Sequence, residues 1–224
     1  MGEADAAAEQ VPTPGTEVAL PARAAVATAV RRLGHALLTH EIDDAHLQRV
    51  AEQLDALAAE AERAGLRHRD VGELTRRMFE ADIPDGARVV HFDECFVSGP
   101  WNPLGMGLEV VRDGDVVSAQ VTLGTAFEGA PGMAHGGIVA ALFDDVLGYL
   151  LTLHRVPGFT GELTVRYHQP TPVGEPLALR GWVVEREGRR LHTAGQLRAR
   201  DQLVASATAV FIEIDAARLS AARH

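Results

Sequence analysis

Residues 131–145 of the chain have the sequence PGMAHGGIVAALFDD. Gly136 and Gly137 follow a loop rich in glycine and proline and precede a long apolar run, so a helix is predicted to begin here and to continue to about His154. The first amides of a helix have no intrahelical acceptor, and a glycine lets a ligand approach them closely. Such a helix start is typical of a site for an anion, or for an oxyanion that forms during a reaction.

Apolar runs and turn residues on both sides of this helix predict six strands. Two strands precede the helix, joined by an Asp113-Gly114 turn, and four follow it, with Glu187-Gly188 between the second and third of the four. The predicted strands are Gly107–Arg112, Val116–Leu123, Thr160–Gln169, Glu175–Glu185, Arg190–Arg200 and Gln202–Ile212. This order indicates an α+β fold in which an antiparallel sheet packs against a single central helix.

The chain before the sheet divides into a tail and an acidic helical extension. Residues 1–21 combine prolines and acids without an apolar period, so we expect a flexible tail. Helical spacing of apolar residues predicts helices over Ala22–Leu38, from Asp43 or Asp44 to Gly65, and over Glu73–Glu80. We therefore predict a tail (1–21), a helical extension (22–82) that serves as a packing or dimer-contact appendage, and a sheet domain (90–215).

Composition excludes several classes of protein. The chain has 224 residues, 46% of them hydrophobic, and a formal net charge of −10, which is typical of a globular protein and unfavourable for generic nucleic-acid binding. All 21 basic residues are arginine, so a Schiff-base enzyme and a phosphate-loop nucleotidase, which need lysine, are excluded. The one cysteine, Cys95, excludes internal disulfides and is expected to be a small buried apolar residue in a reducing compartment.

Neither a membrane segment nor a metal site is expected. The N-terminus is acidic where a secretory signal needs positive charge, and the most apolar stretch, residues 138–153, contains two aspartates. Three histidines, His35, His40 and His46, lack the paired spacing of a zinc-binding helix. We therefore expect a cytoplasmic protein that binds no membrane, no nucleic acid and no metal.

Asp144 is the main candidate for chemistry. It shares a stripe of the predicted helix with Ala140, Gly148 and Leu151, where a carboxylate is costly to bury unless it is paired or functional. Gly136 lies eight residues earlier, roughly 12 Å away along one helix, whereas a carboxylate and an oxyanion donor must converge on one reacting group. Two antiparallel copies of the helix would bring Gly136 of one copy beside Asp144 of the other. A catalytic motif therefore implies a dimer or a dimer of dimers.

These motifs resemble the hotdog-fold acyl-CoA thioesterases of the phenylacetate-type (PaaI-like) group. The resemblance is carried by His135-Gly136-Gly137 with Asp144 nine residues after the histidine, by ELTVRY at 162–167 and by QPTP at 169–172. It extends over roughly residues 96–215, and the predicted strand and helix order agrees with that fold. It implies hydrolysis of an acyl-CoA to a free acid and coenzyme A, with no cofactor.

The resemblance also implies roles for individual residues. Asp144 matches the acid that attacks the thioester or activates water, and both mechanisms stay open. The Gly136 amide matches the oxyanion donor, and His135 matches the residue that orients the helix start and the substrate carbonyl. Thr160 falls where many members place a hydroxyl that holds the water or the acid, and Gly137 is expected to lie against the substrate.

One position departs from the family pattern. Several members have an asparagine six residues before the histidine, where this chain has Gly129. Glu128 and Asn102 are the two residues that could substitute for it in binding the substrate.

Arginines are the candidates for binding the phosphates of coenzyme A. Residues 151–200 contain eight arginines and four glutamates, and Arg189 and Arg190 lie beside a turn. Solvated strand edges are the alternative interpretation of these arginines. The alternative function is a non-catalytic acyl-CoA-binding hotdog module, while a hotdog dehydratase or hydratase ranks last because its histidine and acid arrangement is not found.

Overall fold

The computed structural model describes residues 21–68, 70–89 and 91–215. Six antiparallel strands form one sheet in the order β1-β2-β6-β7-β8-β5. They are β1 (Glu109–Asp113), β2 (Val116–Thr122), β5 (Gly158–Tyr167), β6 (Pro176–Glu187), β7 (Arg190–Ala199) and β8 (Gln202–Glu213). The predicted α+β fold is confirmed, and each of these strands begins and ends within two residues of its predicted bounds.

A small hairpin precedes the central helix and was not predicted. Strand β3 (Glu128–Ala130) pairs with β4 (Met133–Ala134), where the sequence analysis placed only a loop. Gly132 closes the turn between them with φ of +76°, a conformation that favours glycine. The strands have three and two residues, too short for an alternating pattern to be visible in the sequence.

The central helix α4 (Gly136–Leu153) supplies the middle of the core. Its side chains Leu142, Phe143, Val146 and Leu147 are 0–1% exposed and follow the helical period on the face turned to the sheet. By length and composition α4 is apolar enough to cross a membrane, but 56% of it is buried inside the fold. Packing against the sheet accounts for its apolar composition.

Paired glycines let the helix approach the sheet closely. Gly181 of β6 and Gly195 of β7 are partners in the antiparallel register. A Cβ atom on Gly195 would lie 3.0 Å from the carbonyl oxygen of Arg180 and 3.2 Å from Cδ2 of Leu147. A larger residue at Gly195 would therefore crowd the neighbouring strand and the side chain of Leu147.

Strand β5 forms one edge of the sheet. It pairs with β8 on one side, and within the described ranges no residue pairs with its other side. The opposite edge is covered, since the N–H of Val89 donates to the carbonyl of Val110 in β1. Phe159 and Tyr167, near the two ends of β5, are 58% and 51% exposed. An unpaired edge with exposed aromatic residues can accept a further strand.

Three helices precede the sheet: α1 (Pro21–Thr39), α2 (Asp44–Glu62) and α3 (Val71–Phe79). Asp43 caps α2 by accepting from the N–H of His46, in agreement with the predicted helix start. Thr39 of α1 forms a hydrogen bond with Thr125, whereas α2 has no buried side chain in this chain. Residues 1–20 of the predicted tail lie outside the described residues, and the division into tail, extension and sheet domain stays a prediction.

The glycine beneath α4 gives a test of this packing. We expect Gly195→Ala to lower the free energy of unfolding by about 1–3 kcal/mol, because the added Cβ meets a backbone carbonyl and two core side chains. Gly34→Ala in α1 is the matched control, since a Cβ there meets nothing within 4 Å. Urea unfolding of both variants measures the effect, and equal stability of Gly195→Ala and wild type would contradict this packing.

Candidate active site

His135 caps the start of α4. Its Nδ1 accepts a hydrogen bond of 2.9 Å from the backbone N–H of Gly137. A ring nitrogen that accepts carries no proton, so we assign the proton of the neutral imidazole to Nε2. The His135 side chain is exposed, and its Nε2–H is therefore a donor beside the first amides of the helix.

Tyr167 ties the end of β5 to the first residue of the helix. Its hydroxyl donates a 2.8 Å hydrogen bond to the carbonyl oxygen of Gly136. As the first helical residue, Gly136 has its amide outside the i to i−4 ladder. Tyr167 was part of the quoted motif but was not predicted as a site residue, because sequence spacing does not reveal which part of the helix a strand side chain contacts.

An open pocket of about 510 Å³ lies at this helix start. His135, Gly136 and Tyr167 line it together with apolar residues of the β3–β4 hairpin and the segment after β5. The remaining lining residues are Gly129, Ala130, Met133, Ala134, Val139, His168, Gln169, Pro170 and Thr171. The arrangement provides hydrogen-bond donors beside an apolar wall, which suits a carbonyl group attached to an acyl chain.

Gly129, the position that departs from the family pattern, packs directly against His135. A Cβ atom there would lie 2.8 Å from Cα of His135. No asparagine fits at this position unless the backbone at the helix start moves. The two residues considered as substitutes form hydrogen bonds with residues close to them in sequence. Glu128 Oε1 accepts from the N–H of Gly132, and the amide of Asn102 donates to the carbonyl of Glu94. Neither Glu128 nor Asn102 lines the pocket at the helix start.

Asp144 and Thr160 form the second part of the candidate site. The hydroxyl of Thr160 donates a 2.8 Å hydrogen bond to Oδ1 of Asp144, and both side chains are exposed. A β-bulge in β5 between Thr160 and Glu162 sets the direction of the Thr160 side chain. The hydrogen bond fixes one carboxylate oxygen and leaves Oδ2 directed to other partners.

The two parts do not meet within one chain. Asp144 is absent from the lining of the pocket that contains His135 and Gly136. On α4 it lies eight residues, about 12 Å, from the helix start. Gly136 and Asp144 therefore lie apart on one helix, and both parts face the exposed surface along β5.

Arg189 and Arg190 lie at the end of the sheet that carries Thr160. Arg190 is opposite Ile212 of β8, which is in turn opposite Phe159 of β5. Arg189 donates two hydrogen bonds, of 2.9 and 2.7 Å, to the carbonyl oxygen of Glu213. Its guanidinium is therefore held in place by the backbone rather than extended freely into solvent.

The buried acid of α4 is Asp145, which the sequence analysis did not single out. Asp145 is 8% exposed, and the thiol of Cys95 donates to its Oδ1 at 3.0 Å. Burial, together with the Asp145 charge, raises the pKa of the Cys95 thiol. Cys95 packs half-buried against the core, and in addition to the expected apolar packing its sulfur is hydrogen-bonded to a buried carboxylate.

Comparison with known proteins identifies the family of this fold. A family model described as Thioesterase superfamily matches residues 131–206. A crystal structure of a thioesterase superfamily protein is 32% identical, with a TM-score of 0.73, over 91% of this chain and 94% of that protein. These matches confirm the hotdog thioesterase fold that the sequence motifs implied.

Two further proteins match part of the chain. Acyl-coenzyme A thioesterase THEM4 of Xenopus laevis is 36% identical over 93 residues, which are 41% of this chain and 42% of that protein. The chain thus spans less than half the length of this curated relative. The structure of the E. coli PaaI protein from the phenylacetic acid degradation operon has a TM-score of 0.46 and 14% identity, over 48% of this chain and 84% of that one.

The cap at the helix start gives a second test. We expect His135→Ala to lower the free energy of unfolding by about 0.5–2 kcal/mol, because the Gly137 amide loses its acceptor. His135→Asn keeps a capping oxygen and should stay within a few tenths of a kcal/mol of wild type. Urea unfolding of the two variants measures the difference, and an equal loss in both would show that the cap does not stabilise α4.

Proposed function

This chain belongs to the thioesterase superfamily, and from that membership we propose that it hydrolyses an acyl-CoA thioester to a carboxylic acid and coenzyme A. The observation that supports this proposal is that two side chains of β5 hold the predicted groups in place. The Thr160 hydroxyl donates to the Asp144 carboxylate, and the Tyr167 hydroxyl donates to the Gly136 carbonyl. An anchored carboxylate and a free helix-start amide are the two groups that acyl transfer to water requires. The name of the curated relative supports acyl-CoA as the substrate class.

The proposed active unit is a dimer that pairs β5 with β5 of a second copy. Thr160 lies near the beginning of β5 and Tyr167 at its end. A two-fold axis near Leu163 and Thr164 therefore puts Thr160 of one copy opposite Tyr167 of the other. Because Thr160 holds Asp144 and Tyr167 holds Gly136, this pairing brings the carboxylate of one chain to the helix start of its partner, twice per dimer. A dimer of dimers would keep the same two sites.

In the proposed reaction the thioester carbonyl lies between these groups. Asp144 either attacks the carbonyl carbon, giving an enzyme-bound anhydride that water hydrolyses, or takes the proton of an attacking water. In both routes the carbon–sulfur bond breaks and coenzyme A leaves with its sulfur protonated. The Gly136 N–H and the Nε2–H of His135 stabilise the oxyanion, and one such donor lowers the barrier by about 3–4 kcal/mol.

Arg189 and Arg190 are proposed to bind phosphate groups of coenzyme A. They lie at the Thr160 end of the sheet, and Arg189 is held by the Glu213 carbonyl. A guanidinium that is already oriented loses less entropy when it binds a phosphate.

Hydrolysis needs only water as the second reactant, so we propose no cofactor for the reaction. We also propose a cytoplasmic location in which the Cys95 thiol stays reduced.

The role of Asp144 is tested by Asp144→Asn. We expect turnover of acyl-CoA to fall by about 10²–10⁴-fold with little change in stability, because the amide neither attacks nor accepts a proton and the site is exposed. Release of free thiol from short, long and aromatic acyl-CoAs measures the effect. Asp115→Asn, an exposed aspartate of the β1–β2 turn, is the control. Near-normal hydrolysis by Asp144→Asn across the panel would overturn the assignment.

The shared site is tested by mixing two inactive chains. A heterodimer of Asp144→Asn with His135→Asn contains one site with both wild-type residues and one site with neither. We expect each homodimer to be nearly inactive and the purified heterodimer, carrying two different tags, to recover about half of wild-type turnover. If both residues served the same site within one chain, the heterodimer would stay as inactive as the homodimers.

A further inference from the structure

A group of potential metal ligands, one buried and two half-buried, lies beside α4. It consists of His91, Cys95 and Asp145, each offering one ligand atom, and the three atoms lie within 4.8 Å of one another. Imidazole nitrogen, thiolate sulfur and carboxylate oxygen are the donors that zinc prefers. In a tetrahedral zinc site such atoms stand about 3.4–3.8 Å apart, so an adjustment of about 1 Å would close the site.

Two polar atoms of this group are left unsatisfied. Oδ2 of Asp145 and Nδ1 of His91 are buried, and neither has a hydrogen-bond partner among residues 21–68, 70–89 and 91–215. Leaving such a buried atom unpaired is unfavourable, and more so when the group is charged. Asp145 is 8% exposed, so solvent does not relieve this cost. A cation coordinated through Oδ2 of Asp145 and Nδ1 of His91 would give both atoms a partner.

Backbone hydrogen bonds fix the segment that carries Cys95, and one of them goes to its sulfur. The backbone N–H of Val97 donates to Sγ at 3.4 Å, and such outer hydrogen bonds stabilise the negative charge of a ligating sulfur. The turn that carries the cysteine is closed by the Gly99 N–H, which donates to the Cys95 carbonyl at 3.0 Å. A Cβ on Gly99 would lie 2.3 Å from the Cys95 nitrogen, so only glycine fits this turn.

We propose that His91, Cys95 and Asp145 bind one zinc-class divalent cation that joins the 91–99 segment to α4. Binding releases the Cys95 thiol proton, and the two negative ligands then balance the two positive charges of the ion, which suits a buried position. Water completes the coordination, since the Tyr149 hydroxyl is occupied as a donor to Ser98 at 2.9 Å. The cation fixes the helical turn next to Asp144 without touching the pocket at the helix start.

The single cysteine makes the test direct. The 224-residue chain without a tag, loaded with Co²⁺, should bind one ion per chain and show a sulfur-to-cobalt charge-transfer band, which only Cys95 of this chain can produce. Zn²⁺ should displace the cobalt and slow the reaction of the thiol with a disulfide reagent at least about tenfold. Metal content by mass spectrometry gives the stoichiometry of the zinc form.

Variants separate the three ligands from nonspecific binding. Cys95→Ser should abolish the band, and Asp145→Asn and His91→Gln should reduce zinc retention to a small fraction of wild type, while His154→Gln, at the exposed end of α4, should bind normally. The proposal is overturned if folded wild-type protein shows neither band nor thiol protection at excess metal, or if Asp145→Asn and His91→Gln retain zinc like wild type. Both wild-type measurements are independent of thioesterase activity and of whether any variant folds.

Discussion

The candidate active site depends on the hydrogen bonds that fix strand β5 to helix α4. Strand and helix run antiparallel. Near the start of β5, Thr160 donates a 2.8 Å hydrogen bond to Asp144, and at the end of β5, Tyr167 donates one of 2.8 Å to the carbonyl of Gly136. The helix is fixed from below by the packing of its apolar face on paired glycines of β6 and β7. The positions of the carboxylate and the helix-start amide therefore follow from the sheet, and the same strand presents both at its open edge.

Much of the fold could be predicted from local sequence. The glycine pair at 136–137, the apolar run after it and the Asp-Gly and Glu-Gly turns are short-range signals, and they gave the bounds of α4 and of six strands to within two residues. Asp144 and Gly136 could be chosen from their positions on the predicted helix, whereas Thr160 was implied only by the family resemblance. The β3–β4 hairpin was missed because its strands are too short to show a period.

Contacts between distant segments were the part that sequence could not reveal. Asp144 and Asp145 differ by one residue, and spacing alone did not determine that Asp145 would be the buried one. Its burial depends on the 91–99 segment, about 50 residues earlier, which covers that side of α4 and brings Cys95 to within 3.0 Å. Likewise, the close approach of Gly129 to His135 explains why this chain has glycine where a larger residue was expected, and only the folded hairpin shows it.

Helices α1 and α2 lie outside the main hydrophobic cluster of the described residues. Among the described residues, the cluster runs from Val89 to Phe211, with Phe79 and Ile83 packed at its margin, and includes none from these two helices. Burial of apolar surface is the dominant source of folding free energy. Trimming of α2 should therefore leave the sheet and its central helix intact, whereas loss of α1 would remove the acceptor that His35 gives to the Ala126 N–H just ahead of the β3–β4 hairpin.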